Sequence, residues 1–310
     1  AVSITVNDVN EAPTAIALTP SVVVENDAGA LIGTLSATDQ DAGDSHTFSV
    51  SDTRFEVVGN QLQLKAGQSI DYELEPSINL TITATDQGGT GLSYSDVLTL
   101  TVTDVNDNAP VITTNASQAV DENAAFSVAL TSTDVDTVGT NPAIFTITGG
   151  TDQGLFTIDG SGNLTMTAKD YEVATDSNTD NIYEVQVTAN DGVNTTSQTI
   201  TVTVNDQNDN APVITTNASQ TVDENAAFSV ALTSTDVDTV GTDPAIFTIT
   251  GGADQGWFAI DGSGNLTMRA KDFEDATDSN TDNIYEVQVS ANEGVNHSLK
   301  TKSYKQTTEK

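Results

Sequence analysis

A short motif rich in Asp and Asn recurs along the chain and divides it into blocks. It reads DVNDNAP at 104–110 and DQNDNAP at 206–212, with a shorter form, DVNEAP, at 8–13. Each copy follows a run in which Thr alternates with apolar residues, as in a strand, and ends in Pro, which favours an extended chain. Flexible linkers are rich in Gly and Ser, whereas these oxygen atoms suit a hard cation such as calcium. The motif therefore predicts metal-stiffened linkers between folded blocks.

The blocks between the linkers are repeats of one another. Residues 107–194 and 209–296 match at an offset of 102 residues and differ at ten positions, and residues 14–104 form a diverged copy. Short runs rich in Thr, Val, Ile and Phe alternate within each block between Gly, Asn and Asp, which predicts about seven strands per repeat. The expected fold class is all-β: tandem seven-stranded Greek-key sandwiches of immunoglobulin-like topology in a linear rod.

The motif spacing also predicts the domain boundaries. Residues 1–13 are expected to be the final strand and linker of a preceding repeat, or a donor strand, and residues 297–310 a basic divergent tail. The three repeats are expected at 14–106, 107–208 and 209–296, the third of them without its final strand.

Composition limits the partners and the chemistry. The 310 residues carry a formal net charge of −36 and no Cys. Such a charge repels nucleic acid and anionic membranes, and the lack of Cys excludes disulfides and thiolate metal sites. No apolar run approaches the roughly 18 residues of a membrane span, so no membrane insertion is expected in this chain.

Four acidic landmarks recur in each block. They are Glu25-Asn26, Asp39/Asp41, Asp71-Tyr72-Glu73 and Asp86 in the first; Glu122-Asn123, Asp134/Asp136, Asp170-Tyr171-Glu172 and Asp191 in the second; and Glu224-Asn225, Asp236/Asp238, Asp272-Phe273-Glu274 and Glu293 in the third. In a strand, an Asp-x-Asp pair places both carboxylates on one face. Two bare carboxylates about 4 Å apart repel by roughly 4 kcal/mol at an effective dielectric constant of 20. Repeating this arrangement beside every linker favours a bound cation.

The ordered set xEN, DxD, DxE and DxNDNxP, at a spacing of about 100 residues, resembles the cadherin repeat over residues 4–296. The resemblance implies seven-stranded sandwiches that bind calcium at interdomain junctions, and an extracellular location. The upstream domain supplies its Glu and DxE, the linker supplies oxygens, and the downstream domain supplies DxD and a later Asp.

Carried over residue by residue, the resemblance implies two full calcium junctions and two half junctions. The first would use Glu25, Asp71, Glu73, Asp104, Val105, Asn106, Asp107, Asn108, Asp134, Asp136 and Asp191. The second would use Glu122, Asp170, Glu172, Asp206, Gln207, Asn208, Asp209, Asn210, Asp236, Asp238 and Glu293. The half junctions would use Asp8, Asn10, Glu11, Asp39, Asp41 and Asp86 at one end, and Glu224, Asp272 and Glu274 at the other. Glu293 departs from the family's Asp, and its extra methylene is expected to weaken the most downstream ion.

Other interpretations of the acids are weaker. A solvated acidic surface would not place acids at fixed landmarks beside each linker. Asp71 and Glu73 also resemble a glycosidase pair, but no cluster of aromatic residues accompanies them, so no enzyme is expected. Trp257 stands where the second repeat has Leu155, and core or partly exposed packing is expected for it in preference to a role as a ligand platform.

Two functions follow for such a chain. The first is a calcium-stiffened spacer or adhesion array of a bacterial surface protein, whose partners are neighbouring repeats or copies of itself. Near-identical tandem repeats and a bias towards Thr, Asp and Asn resemble large bacterial surface proteins.

The second function depends on the mismatched ends. The third block stops matching after residue 296, where HSLKTKSYKQTTEK replaces the strand TITVTV of 199–204, while the chain opens with the strand-like AVSITV. One explanation is a fragment of a longer array with an altered end. The other is a filament in which residues 3–8 of one copy complete the third domain of the next, with a calcium site completed across that interface.

Overall fold

A computed structural model describes residues 2–7, 9–41, 43–87, 91–241 and 244–307, with the side chains of 306 and 307 left out. Among these described residues, every regular element is a β-strand except two single-turn 3₁₀ helices, Gln153–Leu155 and Gln255–Trp257. No helix of the described residues is long and apolar enough to span a bilayer. The prediction of an all-β chain of tandem sandwiches is therefore confirmed.

The chain forms two compact units. One comprises Ala1–Thr114, Ala129–Thr146 and Val187–Gln198, and the other comprises Asn115–Val128, Ile147–Gln186 and Thr199–Lys310. The division passes through the second repeat. As a result, each of the two full linkers lies in one unit with the acids from both sides of it.

The first repeat is a sandwich of two four-stranded sheets. Their orders are β1-β3-β6-β5 and β2-β8-β7-β4. The strands are β1 (Ala15–Thr19), β2 (Val22–Val24), β3 (Leu31–Thr38), β4 (His46–Val50), β5 (Phe55–Val58), β6 (Gln61–Leu64), β7 (Ser77–Asp86) and β8 (Ser93–Thr103). Pro20, which has no N–H to donate, separates β1 from β2, so that the chain leaves one sheet and joins the other in parallel with β8.

Period-two alternation builds the core of this sandwich. Along β7, Ile78, Leu80, Ile82 and Ala84 are buried, while Asn79 and Thr81 between them are exposed. These buried residues join one hydrophobic cluster with residues of β3, β6 and β8. Burial of one face of each sheet is what holds a sandwich together.

The second repeat has nine strands. They are β9 (Val111–Ile112), β10 (Ser117–Asp121), β11 (Phe126–Ala129), β12 (Ser132–Thr133), β13 (Ile144–Gly149), β14 (Phe156–Ile158), β15 (Asn163–Met166), β16 (Ile182–Asn190) and β17 (Thr195–Asn205). β9 pairs with β12 and β14 pairs with β15, both antiparallel, while β10 pairs with β17 in parallel.

The third repeat has the same series of strands. They are β18 (Val213–Ile214), β19 (Ser219–Asp223), β20 (Phe228–Ala231), β21 (Ser234–Thr235), β22 (Ile246–Gly251), β23 (Phe258–Ile260), β24 (Asn265–Met268), β25 (Ile284–Asn292) and β26 (His297–Thr307). The sheet orders are β19-β26-β25-β22, β20-β24-β23 and β18-β21.

Strand β26 corrects the prediction that the third repeat lacks its final strand. It pairs antiparallel with β25 and parallel with β19. Its inward residues include Lys302 and Tyr304, both fully buried, where the second repeat has Ile200 and Val202. Backbone pairing tolerates this sequence because the lysine stem is apolar and its ammonium reaches main-chain acceptors.

The buried ammonium of Lys302 donates hydrogen bonds to the main-chain oxygens of Thr216 and Asn217. The ring of Tyr304 packs against Phe228, with centroids 4.4 Å apart, and against Phe258. Burial lowers the pKa of Lys302 to about 8. The backbone hydrogen bonds to β25 and β19 and the packing of Tyr304 therefore stabilise the strand, whereas the desolvated charge of Lys302 destabilises it.

The N-terminal segment was expected to be the final strand of a preceding repeat or a donor strand, and that role stays a prediction. Within this chain, residues 2–7 form no strand. Val2, Ile4 and Val6 are 93%, 85% and 89% exposed.

Candidate metal centres

Glu25 connects the first linker to the DxE motif. Its side chain is buried. Its Oε1 accepts a 2.7 Å hydrogen bond from the N–H of Val105, and its Oε2 accepts a 2.8 Å hydrogen bond from the N–H of Tyr72. At the second linker the corresponding residues are Glu122, Gln207 and Tyr171, at the same distances. The Glu of the xEN motif therefore positions the main chain of two other motifs.

The Asn that follows this Glu has its own function. Asn26 adopts a left-handed conformation, with φ of 60°, which Asn tolerates better than most residues. Its Nδ2 then donates to Oδ2 of Asp107 at 2.6 Å. Asn123 and Asp209 repeat this contact at the second linker.

The DxD motif of the downstream repeat holds the far end of the linker. The buried Asp136 accepts a hydrogen bond from the main-chain N–H of Asn108 and another from its Nδ2, both at 2.9 Å. Asp134 Oδ1 accepts the N–H of Asp136 at 3.2 Å. The second linker has the same contacts between Asp238 and Asn210.

The later Asp of the downstream repeat also contacts the linker region. Asp191 Oδ1 accepts the N–H groups of Val193 and Asn194 at 2.8 and 2.7 Å. Asn194 Nδ2 donates to Oδ1 of Asn106 and to the main-chain oxygen of Asn108, both at 2.8 Å. At the second linker, Asn296 Nδ2 donates to the main-chain and side-chain oxygens of Asn208, both at 2.9 Å.

These contacts bring carboxylates from both sides of each linker together. In several groups of three acids, one oxygen from each lies within 4.8 Å of the others. The groups are Glu25, Glu73 and Asp104; Glu73, Asp107 and Asp136; Glu122, Glu172 and Asp206; and Glu172, Asp209 and Asp238. Without a cation, such close carboxylates repel one another.

Many of these acids also have a buried oxygen with no donor. In the part of the chain that the structure describes, these atoms are Oε1 of Glu73, Oδ1 of Asp104, Oδ2 of Asp134 and Oδ2 of Asp191, and their counterparts Oε1 of Glu172, Oδ1 of Asp206, Oδ2 of Asp236 and Oε1 of Glu293. A buried polar atom without a partner is unfavourable, and a buried charge still more so. Such oxygens match the ligands of Ca²⁺, which takes six to eight oxygens.

A buried acid away from the linkers shows the contrast. Asp152 is also buried, but its Oδ1 accepts the N–H and Oγ–H of Ser177 and its Oδ2 accepts the N–H of Glu184. It is therefore a structural acid. The donor-free oxygens mark the linker acids as different in kind.

The raised pKa values of several linker acids agree with this distinction. Burial raises the pKa of Glu73 to about 7, with a further contribution from the nearby Glu25, Asp136 and Asp104. Burial and the surrounding acids raise the pKa of Glu172 to about 7. The pKa of Glu293 rises to about 7 through burial and through a hydrogen bond and repulsion from Asp236. A bound divalent cation would reverse these shifts.

At the upstream half junction, a histidine is hydrogen-bonded to the first acid of the DxD motif. The N–H of Glu11 donates to Asp41 Oδ2 at 2.7 Å, and the N–H of Asp41 donates to Asp39 Oδ1 at 3.1 Å. His46 Nε2 lies 2.9 Å from Asp39 Oδ2, and this hydrogen bond lowers the pKa of Asp39. Asp86 is fully buried beside these residues, where its strand pairs with that of His46.

The remaining predicted ligands are placed as follows. Glu224, Asp272 and Glu274 form a three-acid group like those above, and Asn10 is half-buried. Asp8 lies outside the described residues, so its role stays a prediction. Asp71 and Asp170 accept N–H groups of their own turns, from Leu74 and Val173, both at 3.2 Å.

Sequence reasoning missed several residues that hold the linkers. Thr137 donates through its N–H and its hydroxyl to Asp104 Oδ2, and Thr239 does the same to Asp206. Asn194 and Asn296 also escaped notice. The signal was present, because Thr directly follows each DxD of the two matched repeats and Asn stands three residues after Asp191 and Glu293.

With this geometry described, the chain was compared with known proteins. Residues 20–103 match the cadherin domain. Protocadherin Fat 4 of Homo sapiens is 34% identical over 198 residues, which are 61% of this chain and 4% of that protein. Protocadherin gamma-A11 of Homo sapiens is 32% identical over 234 residues, which are 68% of this chain and 24% of that protein. The chain thus spans a small part of these relatives.

Solved structures agree on the fold. Extracellular cadherin domains 3-6 of protocadherin gamma B2 superpose with a TM-score of 0.71 at 21% identity, covering 97% of this chain and 80% of that one. The cis-dimer structure of protocadherin gammaB7 EC3-6 gives a TM-score of 0.70 at 22% identity, covering 94% of this chain and 76% of that one.

The chain is therefore built of tandem cadherin domains and is related to the protocadherins. Cadherin repeats are a non-enzymatic family, which confirms that prediction, and these domains are of the extracellular type, as expected.

Proposed function

We propose that this chain is a calcium-stiffened extracellular spacer and adhesion array, in which calcium binds at the linkers between repeats. The observation that carries the proposal is the set of eight buried carboxylate oxygens without a donor, all of them on predicted ligands. Scattered surface acids would be hydrated or hydrogen-bonded and would not recur in pairs beside two linkers.

Three segments would share the ions at each full linker. At the first, Glu73 comes from the upstream repeat, Asp104 and Asp107 from the linker, and Asp134 and Asp136 from the downstream repeat. The second linker offers Glu172, Asp206, Asp209, Asp236 and Asp238 in the same order. A cation held by all three segments would fix the linker, whereas the bare acids would repel one another.

The expected affinity follows from the location. Extracellular calcium modules bind with dissociation constants of about 10⁻⁴–10⁻³ M. Occupancy at 100 times the dissociation constant adds about 2.7 kcal/mol of stability per site, which is large for a small domain. Calcium would act here as a mechanical and stabilising ligand.

Size-exclusion chromatography with light scattering tests this proposal, in millimolar calcium and again in chelator. The spacer predicts a constant monomer mass and a hydrodynamic radius that changes between calcium and chelator. A mass and a radius that are both insensitive to calcium would refute it.

The source and partners belong to the same proposal. The near identity of residues 107–194 and 209–296 supports assignment to a large bacterial surface protein. The relatives described above are animal proteins. Neighbouring repeats or copies of the chain itself are the proposed partners.

A second candidate function is a filament subunit, in which the N-terminal segment of one copy replaces β26 of the next. Two observations favour it. Val2, Ile4 and Val6 form an exposed apolar row, and β26 places Lys302 where the second repeat has Ile200. A donated strand with three apolar inward residues would fill that core better. The same contact would bring Asn10 and Glu11 to Glu224, Asp272 and Glu274.

Mass as a function of protein concentration separates the two functions. A filament predicts a ladder of masses that Ile4→Lys abolishes and Ser3→Lys leaves intact, because only one face of the donated strand would enter the core. A monomer at every concentration would rule out strand donation.

A further inference from the structure

Several differences between the two matched repeats lie together at one surface of the third. Only ten of their matched positions differ. Three of these line a single recess, namely Trp257, Ala259 and Arg269, where the second repeat has Leu155, Thr157 and Thr167. Because three of the ten differences alter this recess, its composition is specific to the third repeat. The fold of the repeat does not require that composition.

The recess lies on the outward face of the sheet formed by β20, β24 and β23. Ser229 and Ala259 flank Thr267 as its cross-strand neighbours on the two sides. The volume of the recess is about 700 Å³, within the usual range for a small-molecule site. In the second repeat, Thr157 and Thr165 instead share a 2.9 Å hydroxyl–hydroxyl contact across the same face. Ala259 stands in place of Thr157 and lacks its hydroxyl, which leaves more space at the bottom of the recess.

Trp257 forms the lip of the recess. It is the only tryptophan of the chain, and it is 45% exposed, which agrees with the partly exposed packing that was one of the two expectations for it. The ammonium of Lys271 lies 3.0 Å from the ring centroid, a cation–π contact that holds the indole in place. A fixed and half-exposed indole is a preorganised apolar platform.

The recess is also basic in an otherwise acidic chain. Arg269 is exposed and lies beside Lys271 in the lining, although the chain has only nine Lys and Arg against 45 Asp and Glu. The charge therefore selects an anionic ligand.

We propose that this recess binds a carboxylated saccharide, such as a uronic acid unit of an acidic glycan. The sugar ring would pack on the exposed part of the Trp257 indole, and its carboxylate would pair with the Arg269 guanidinium, which suits planar bidentate contacts. Ser229 and Thr267 supply hydroxyls for the ring hydroxyl groups.

Shape and charge favour a saccharide over the other anions. Nucleic acid carries a phosphate at every nucleotide along its length and is repelled by the net charge of −36, whereas a uronic acid unit presents a single carboxylate to the recess. An acidic peptide would need a strand edge or a groove, whereas this floor is a sheet face with hydroxyls in its middle. The site lies in the third repeat alone and does not depend on the calcium proposal.

Fluorescence of the single tryptophan tests the proposal directly on the full chain. The probe is a linear galacturonate tetramer, and its uncharged methyl ester is the matched control ligand. Titration is carried out in chelator and again in calcium, so that calcium bridging to the linker acids is separated from binding at the recess. The expected result is a saturable change with the acid in both buffers, and an affinity at least about tenfold lower for the ester.

The second repeat supplies fold-compatible variants that keep the tryptophan. Arg269→Thr and Ala259→Thr install its residues and should each weaken binding about tenfold or more. Ala119→Thr, which installs a third-repeat residue at a position outside the recess, should leave binding unchanged.

Three results would overturn the proposal. The first is the absence of any fluorescence change with galacturonate up to about 10 mM. The second is an affinity unaffected by Arg269→Thr. The third is equally tight binding of a glutamate tetramer, which would identify an acidic-peptide site instead.

Discussion

Glu25 accepts a 2.7 Å hydrogen bond from the main-chain N–H of Val105, a residue 80 positions further along the chain. The other oxygen of the same carboxylate accepts the N–H of Tyr72. One buried side chain thus sets the position of the linker and of the DxE motif relative to each other. Glu122 does the same at the second linker.

We predict that Glu25→Ala weakens calcium binding at the first linker. The change leaves two N–H groups without their acceptor, which costs about 1–3 kcal/mol for each that stays buried. Loss of an orienting residue lowers metal affinity by about 10–100-fold. Calcium-dependent protection against thermal unfolding measures the effect.

Asp27→Asn is the control for this change, since it removes an exposed acid two residues away. It should alter the unfolding midpoint in calcium only slightly. Equal losses in the two variants would mean that total charge, and not the position of Glu25, governs calcium binding.

Calcium affinity should fall as the pH drops below about 7. Glu73 and Glu172 both have a pKa raised to about 7, first by burial and then by nearby acids. Protons therefore compete with calcium in that range. Calcium titrations at pH 8 and pH 6 should show weaker binding at the lower pH and a proton release on binding, and a pH-independent affinity would contradict the prediction.

The same pKa shifts determine how the free energy of unfolding of the metal-free protein changes with pH. A carboxyl whose pKa is raised from 4.5 to about 7 on folding binds more protons in the folded state between those values. The free energy of unfolding in chelator should therefore fall as the pH rises from 4.5 to 7. Denaturant unfolding across this range, with Glu73→Gln as the matched variant, should show a weaker pH dependence for the variant.

Glu293→Asp should tighten calcium binding at the second linker. It installs the residue that the second repeat has at Asp191, whose Oδ1 is fixed by two N–H donors. A shorter side chain with the same support orders the carboxylate at a smaller entropic loss. Calorimetry should find a severalfold tighter second-linker site, and the reverse change, Asp191→Glu, should weaken the first.

Lys302→Ile should stabilise the third repeat by about 1–3 kcal/mol, since it replaces a buried ammonium by the residue found at Ile200. Lys305→Ile, at an exposed position of the same strand, should have little effect. Denaturant unfolding of the full chain compares the two.

The pH dependence provides an independent check on Lys302. Its pKa falls from 10.5 to about 8 on folding, so the unfolded state binds more protons between these values, and stability should rise with pH in that window. The rise should be absent in Lys302→Ile. If the Lys302 ammonium were solvated, its pKa would not change on folding and stability would not rise with pH in this window.

Much of the fold follows from local patterns. The short runs rich in Thr, Val, Ile and Phe predicted a succession of strands in each repeat, and Phe55–Val58 of the first repeat is one of them. β1 is harder to predict, because AIALT, at Ala15–Thr19, contains the helix-favouring residues Ala and Leu and pairs as a strand with β3. The acidic landmarks were predictable because they recur at fixed positions.

Contacts between distant residues were not predictable. Nothing near His46 in the sequence shows that it bonds Asp39, and the tail at 297–307 has no apolar pattern that would identify β26. There the backbone ladder with β25 and β19 outweighs side chains that fit poorly. The recess at Trp257 likewise depends on three residues from different strands and turns.

Calorimetric titration of calcium into the metal-free chain tests the central claim most directly. The linker acids predict saturable uptake with dissociation constants of about 10⁻³ M or tighter, strongly weakened when Glu73→Gln and Glu172→Gln are combined. No saturable uptake, or uptake that the combined change leaves intact, would contradict the assignment of these carboxylates as calcium ligands.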